Sequence, residues 1–364
     1  MALTLHGIGT AVPQGSITRD EAVALAEHVS GGDGRQTALL QRIHQRSGVS
    51  RRGSVLITDH ANDGSFLARV PFYGSTNPST GERMTEFQRH AAELAFEASA
   101  TALSESGVAV EAITHLITVC CTGFEAPGVD LALIERLGLR ADVQRTHVGF
   151  MGCHAALNGL RVARAFAEAD ADAVVLICCV ELCSLHLQYG GDPEQVVANA
   201  LFADGAAAVV ASAQRPISFP ALVLETNGST VIPGSAGLMH WRIADHGFSM
   251  GLSPQVPQTV AQALRPWLDD WLGGWDLTPA FISSWAMHPG GPRILSACGE
   301  VLELSPEQLQ TSRAVLHDHG NMSSATVLFI LQRLRRSAIP GPCLALAFGP
   351  GLCAEVALFR LMDG

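Results

Sequence analysis

With 364 residues, 48 % of them hydrophobic and only 16 % charged, the chain can build a large buried core and has a compact protein's profile. Its formal net charge of −11 opposes nucleic acid and anionic membrane over the surface as a whole, so an anionic substrate needs a local basic patch. Lysine is absent, which excludes Schiff-base chemistry and any catalytic lysine.

The opening MALTLHGIGTAVPQG lacks the basic flank and long apolar core of a signal peptide, which points to a cytoplasmic, reducing location. ITRDEAVALAEHV predicts the first helix, with Thr18 as its N-cap. A Gly-rich turn (GGDG) leads to the arginine-rich QRIHQRSGVSRR, and GSTNPSTGE reads as a loop. HLITVCCTGFEAPGVDLALIERLGL (115–139) reads as strand, Gly/Pro turn and helix. GFMG leads to Cys153 and the helix-like HAALNGLRVARAFAEA, followed by the buried strands AVVLICCV (173–180) and GAAAVVAS (205–212). The longest apolar run, 171–187, is interrupted by Glu181 and is too short for a membrane span. After SAQRPISFPA (212–221) the design returns. ISSWAMHPGGPRILSACGEVLEL (282–304) is again strand, turn and helix. HDHG then leads to Asn321, MSSATVLFILQRLRR and the strands CLALAF and AEVALFRL.

The step along the chain from Cys153 to Asn321 equals the step from Cys120 to His288, so one offset links two separate motifs. A period this long predicts a duplicated α/β domain with halves 1–213 and 214–364.

Nine cysteines without a paired C-x-x-C framework favour neither a disulfide scaffold nor structural zinc, and the histidines lack ligand spacing. Cys153 differs from the others by following Gly152 at a helix start, where the dipole and free N–H groups favour thiolate. Asn321 alone reads as an N-cap; the duplication places it toward Cys153 as an amide donor. His288, at a strand end before PGGP, suits a base or an oxyanion donor as well as a turn.

GFMGCHAALNGL, WAMHPGGPRIL, HGNMSSATVLFIL and AFGPGL, in this order, resemble the chalcone-synthase-like type III polyketide synthases. LFADGAAAVV and CTGFEAPGVDLALIERLGL extend the resemblance over essentially the whole chain, and CTGF and ELCSLHLQ resemble bacterial members. The resemblance implies a thiolase fold, two pseudo-symmetric α/β halves layered αβαβα, in a cytoplasmic homodimeric acyltransferase. It implies that Cys153 loads an acyl group from CoA, with His288 helping to hold the thiolate as an ion pair. His288 and Asn321 then bind malonyl-CoA and stabilise the enolate left by decarboxylation. Acyl-CoA and malonyl-CoA are the implied partners, and no metal or redox cofactor is needed.

Carried over position by position, Phe202 and Met250 are the gate residues, Met250 replacing a second phenylalanine. Cys121, Cys183 and His186 stand for cavity threonines, and Trp241 for a cavity glycine. Thr122, Ser323, Gly349 and Pro350 complete the implied pocket, while Arg42 and Arg46 match the basic mouth of a CoA tunnel. Ala126 replaces a methionine that crosses the family's dimer interface. Two other activities stay open: a single-round β-ketoacyl condensing enzyme and a cysteine thioester hydrolase.

Overall fold

The computed structural model describes residues 2–31, 34–58, 66–215 and 220–362. Its strands are β1 (Leu3–Ala11), β2 (Ser16–Thr18), β3 (Arg51–Gly53), β4 (His115–Cys120), β5 (Gln144–Gly149), β6 (Val174–Leu182) and β7 (Asp204–Ser212). They continue with β8 (Ala221–Val231), β9 (Met239–Ala244), β10 (Gly247–Leu252), β11 (Ser284–Met287), β12 (Gly341–Gly349) and β13 (Cys353–Met362). Nine of them form one mixed sheet in the order β11-β12-β13-β8-β1-β7-β6-β4-β5, while β2 pairs with β3 and β9 with β10.

Side-chain alternation along these strands sorts the core into layers. Ile117, Val119, Val175, Ile177 and Cys179 face the same cluster as Cys343, Ala345 and Ala347 from the other end of the sheet. Their strand neighbours turn the other way. Leu116, Leu176 and Cys178 pack on the helix Thr80–Ser106, and Leu344, Leu346 and Phe348 pack with residues of the helices Val256–Gly273 and Pro292–Val301. The shared middle is filled by helices Ala155–Ala169 and Thr326–Ser337. The sheet therefore bends over two central helices, giving the αβαβα layering of the thiolase fold.

β4, β6, β7 and β1 pair in the sequence parallel, antiparallel, antiparallel, and β11, β12, β13 and β8 repeat it. The offset between matching elements is not constant. Ala345 stands where Ile177 stands, at the spacing that separates Cys153 from Asn321. Ala286 matches Ile117 at a slightly longer spacing, so Val119 rather than Cys120 lies opposite His288. The short turn Gly152–His154 matches Ser323–Ala325 at a longer spacing again. Cys153 thus corresponds to Ser324, and Asn321 enters from just before the matching turn. Short insertions at turns shift the offset while the strands keep their facing.

Thr18 caps the helix Arg19–Ser30 in a reciprocal capping box with Glu21. GSTNPSTGE is a loop only as far as Ser79, which caps the helix Thr80–Ser106 with Glu82. The GGDG turn lies partly outside the described residues. No helix among the described residues is long and apolar enough to cross a membrane.

Candidate active site

Cys153 follows β5 on a turn that needs glycine. Phe150 and Gly152 both adopt left-handed φ, 57° and 72°, and a Cβ on Gly152 would meet Pro350 Cδ at 2.2 Å. The α-helix starts at Ala155, so Cys153 sits in the tight turn ahead of it and remains partly accessible. Burial pushes its thiol up to about 12, with the field of Glu181 adding to the rise. The Ser323 hydroxyl and the Asn321 amide beside the sulfur oppose that shift by favouring thiolate.

Asn321 is held at both ends. Its N–H donates to Leu201 O and its C=O accepts from Ala203 N–H, which makes a parallel bridge with Phe202. Its Oδ1 accepts from Ser323 N–H at 2.9 Å, and this fixes which way the amide faces. Nδ2 is left buried without a protein partner. His288 continues from β11, its N–H donating to Leu346 O at 2.8 Å. The ring is 1 % exposed, and neither nitrogen has a partner. Burial, reinforced by His154, pushes this imidazole down to about 3, so it is neutral. The expected thiolate–imidazolium pair is therefore not favoured by either group alone, because burial penalises both charges.

Cys153, His288 and Asn321 line one pocket of about 340 Å³ with Phe202, Met239 and Met250. Outward, Leu252, Gly290 and Ile294 are shared with a groove of about 1000 Å³ that carries Arg46 and Arg293. Inward lies a pocket of about 360 Å³ lined by Cys121, Thr122, Cys153, Cys183, Trp241, Ser323 and Pro350. Behind Trp241 a further chamber of about 610 Å³ reaches Arg52, Tyr73 and His186. Phe202 and Met250 line all three inner spaces, so they stand at the junction.

Trp241 separates the two inner spaces. Its Nε1–H donates to Cys121 O at 2.6 Å, and its ring meets His186, Phe248 and Phe202 at centroid distances of 5.4, 5.8 and 6.5 Å. His186 accepts from Phe248 N–H through Nδ1, so Nε2–H donates to Thr122 O at 2.6 Å. With both nitrogens used and its pKa pushed down to about 3 by burial, His186 braces the wall of the deeper chamber. It does not line the pocket at Cys153.

Two other expectations change. Gly349 lines none of these spaces; a Cβ there would meet His154 Cδ2 at 2.3 Å, so it serves close packing. Arg42 is exposed but lies off the groove lining, whereas Arg46 is on it. Arg51 is on the surface bonded to Ser16 Oγ, and Arg52 points inward to Asn199 O and Phe202 O.

Two residues escaped the sequence reading. Arg293 lines the outer groove, and its position directly after PGGP was the available signal. Glu181 is fully buried, and its carboxylate accepts from Cys121 N–H at 3.1 Å, Thr122 Oγ1–H at 2.8 Å, Ser324 Oγ–H and the Cys121 thiol. Cys121 in turn contacts Ser323 Oγ at 3.1 Å, so one network runs from Glu181 to the hydroxyl beside Cys153. A lone carboxylate in an otherwise apolar strand was the visible clue. Glu181→Leu strands these donors, and equilibrium unfolding should show a loss of roughly 3 kcal/mol. A loss below about 1 kcal/mol would deny the network its structural weight.

Residues 2–215 match the family described as chalcone and stilbene synthases, N-terminal domain, and residues 223–363 match its C-terminal domain. The chain is 34 % identical to 1,3,6,8-tetrahydroxynaphthalene synthase of Streptomyces peucetius subsp. caesius, over 98 % of this chain and 93 % of that protein. It is 30 % identical to the alpha-pyrone synthesis polyketide synthase-like Pks18 of Mycobacterium tuberculosis, over 98 % and 91 %. Crystalline PKS-I from the brown alga Ectocarpus siliculosus superposes with a TM-score of 0.91 at 32 % identity, covering 99 % of this chain and 98 % of the other. The chain belongs to the chalcone and stilbene synthase family, and is thus a type III polyketide synthase, a condensing acyltransferase.

Proposed function

We propose that Cys153 takes an acyl group from an acyl-CoA, and that His288 and Asn321 then bind the thioester carbonyl of malonyl-CoA. Carbon dioxide leaves, the two donors stabilise the enolate, and the enolate attacks the acyl-cysteine; repeated rounds end in cyclisation. The observation that carries this reading is the set of unpartnered atoms in one pocket with Cys153: His288 Nδ1 and Nε2 and Asn321 Nδ2. A buried polar atom without a partner costs about 1–3 kcal/mol, and a substrate oxygen relieves that cost. A neutral imidazole N–H and an amide N–H also suit an oxyanion, since no pre-existing charge has to be neutralised. Thiolate forms by passing the Cys153 proton to His288, which returns it to the sulfur of the departing CoA, so the imidazole is neutral again when malonyl-CoA binds.

The outer groove is the path for CoA, with Arg46 and Arg293 meeting its phosphates. The edge strand β5 and the exposed Phe124, Leu131, Phe150 and Met151 offer an apolar face for a homodimer. Residues 1–213 and 214–364 are read as the two duplicated halves. Incubation with labelled malonyl-CoA and a panel of acyl-CoAs tests the reaction. Label released as carbon dioxide with a product several units heavier than the starter supports it. CoA release without carbon dioxide points to the hydrolase, and one condensation with every starter points to the single-round enzyme.

Trp241 closes off the space beside the sulfur, which suits a short acyl group. Trp241→Gly should join this pocket to the chamber behind it and give heavier products or admit longer starters. An unchanged product profile by mass spectrometry would remove Trp241 as the partition.

A further inference from the structure

Apart from the spaces at Cys153, a small cavity with room for about one water-sized occupant lies among Thr18, Arg19, His44, Ser50, Arg52 and Ala200. Separate segments of the chain meet there, among them the arginine-rich helix Gly34–Arg46, and no carboxylate lines it. His44 is 2 % exposed and its Nε2 has no partner, an arrangement that asks for an occupant. Burial, with the charges of Arg52 and Arg19 adding to it, pushes the His44 imidazole down to about 3, so the ring is neutral. Arg19 uses Nε on Val49 O, and Arg52 uses Nη1 on Asn199 O and Phe202 O. The remaining guanidinium hydrogens have no carboxylate across the cavity.

Glu21, two residues from Arg19, and Asp204, whose charge acts on Arg52, are committed elsewhere. Glu21 accepts from Thr18 N–H and Oγ1–H and pairs with Arg69, while Asp204 accepts from Val55 N–H, Ser184 N–H and Ser184 Oγ–H. Asp204 still acts on Arg52 from a distance. The cavity is thus lined by two guanidinium groups and no carboxylate, and a single negative charge completes that balance.

The geometry points to a binding site for one small monovalent inorganic anion, chloride in ordinary buffers, held by Arg19, Arg52 and the Nε2–H tautomer of His44. Its place explains a second feature. Arg52 also holds the carbonyl of Phe202, the residue at the junction of the three inner spaces. An anion that fixes the Arg52 guanidinium therefore fixes the backbone of the gate, a positioning role.

Crystals of the full chain soaked in bromide test the site directly. The expected result is an anomalous peak between Arg19, Arg52 and His44 in the wild type and none in Arg19→Gln. In solution, replacing gluconate by chloride at constant ionic strength should raise the thermal midpoint of the wild type. Losing one charge-assisted contact should weaken binding roughly tenfold or more, moving the chloride titration of Arg19→Gln to correspondingly higher concentration. Wild-type crystals with bromide peaks elsewhere and none here overturn the site, as does an Arg19→Gln protein that keeps the full chloride increment. Neither readout depends on catalysis, so failure here is separable from failure of the proposed reaction.

Discussion

Cys153→Ala protein mixed with an acyl-CoA should gain no acyl mass, where the wild type gains one acyl group on the peptide containing Cys153. Condensation should fall by about 10⁴-fold or more, because no other group provides the covalent step. Cys121 and Cys183 share the adjoining pocket, yet neither is a substitute nucleophile. Burial holds both thiols well above their ordinary range, and the carboxylate of Glu181 adds to that shift. Cys121 is moreover engaged by Glu181 and Ser323. Intact-mass and peptide analysis decide the matter: acyl label that persists on Cys121 or Cys183 at wild-type level would remove Cys153 as the loading site.

Asn321→Ala should separate two steps that Cys153→Ala abolishes together. Loading needs the sulfur, so acyl transfer from acyl-CoA should persist. Malonyl-CoA decarboxylation should fall by about 10²–10³-fold, the usual effect of removing one oxyanion donor. The backbone bridge to Phe202 does not involve the side chain and should survive. Ser323 N–H loses its acceptor, so the fold must be checked by thermal unfolding alongside. Undiminished carbon dioxide release from this variant would show that Asn321 does not stabilise the enolate.

Much of this architecture can be read along the chain because it depends on local pattern. Cys153 after Gly152, His288 at the end of ISSWAM and Asn321 after HDHG were singled out from turns and apolar runs, and the structure brings all three to one pocket. The repeat was also visible, since strands keep their facing over any insertion at the turns. What a constant offset could not register were those insertions, which is why Ser324, and not Asn321, matches Cys153. The start of the helix Thr80–Ser106 is hidden along the chain although Ser79 and Glu82 spell its cap, because its first residues also fit a loop.

The protonation of the site is a matter of tertiary structure alone. A thiol at a helix start suggests a lowered pKa, but burial raises that of Cys153 and lowers that of His288, and burial is a sum over residues distant in sequence. The same holds for Arg52, which lies in the arginine-rich QRIHQRSGVSRR and turns inward beneath Phe202. Sequence by itself determined the residue types and the repeated α/β pattern that carries the three motifs, since these follow from periodicity and turn chemistry, while the layered thiolase fold was implied by the resemblance to the chalcone-synthase-like family. Only the packed structure decided which arginines reach the groove, where Trp241 divides the cavity and how Glu181 is satisfied, because each depends on side chains that meet from distant parts of the chain.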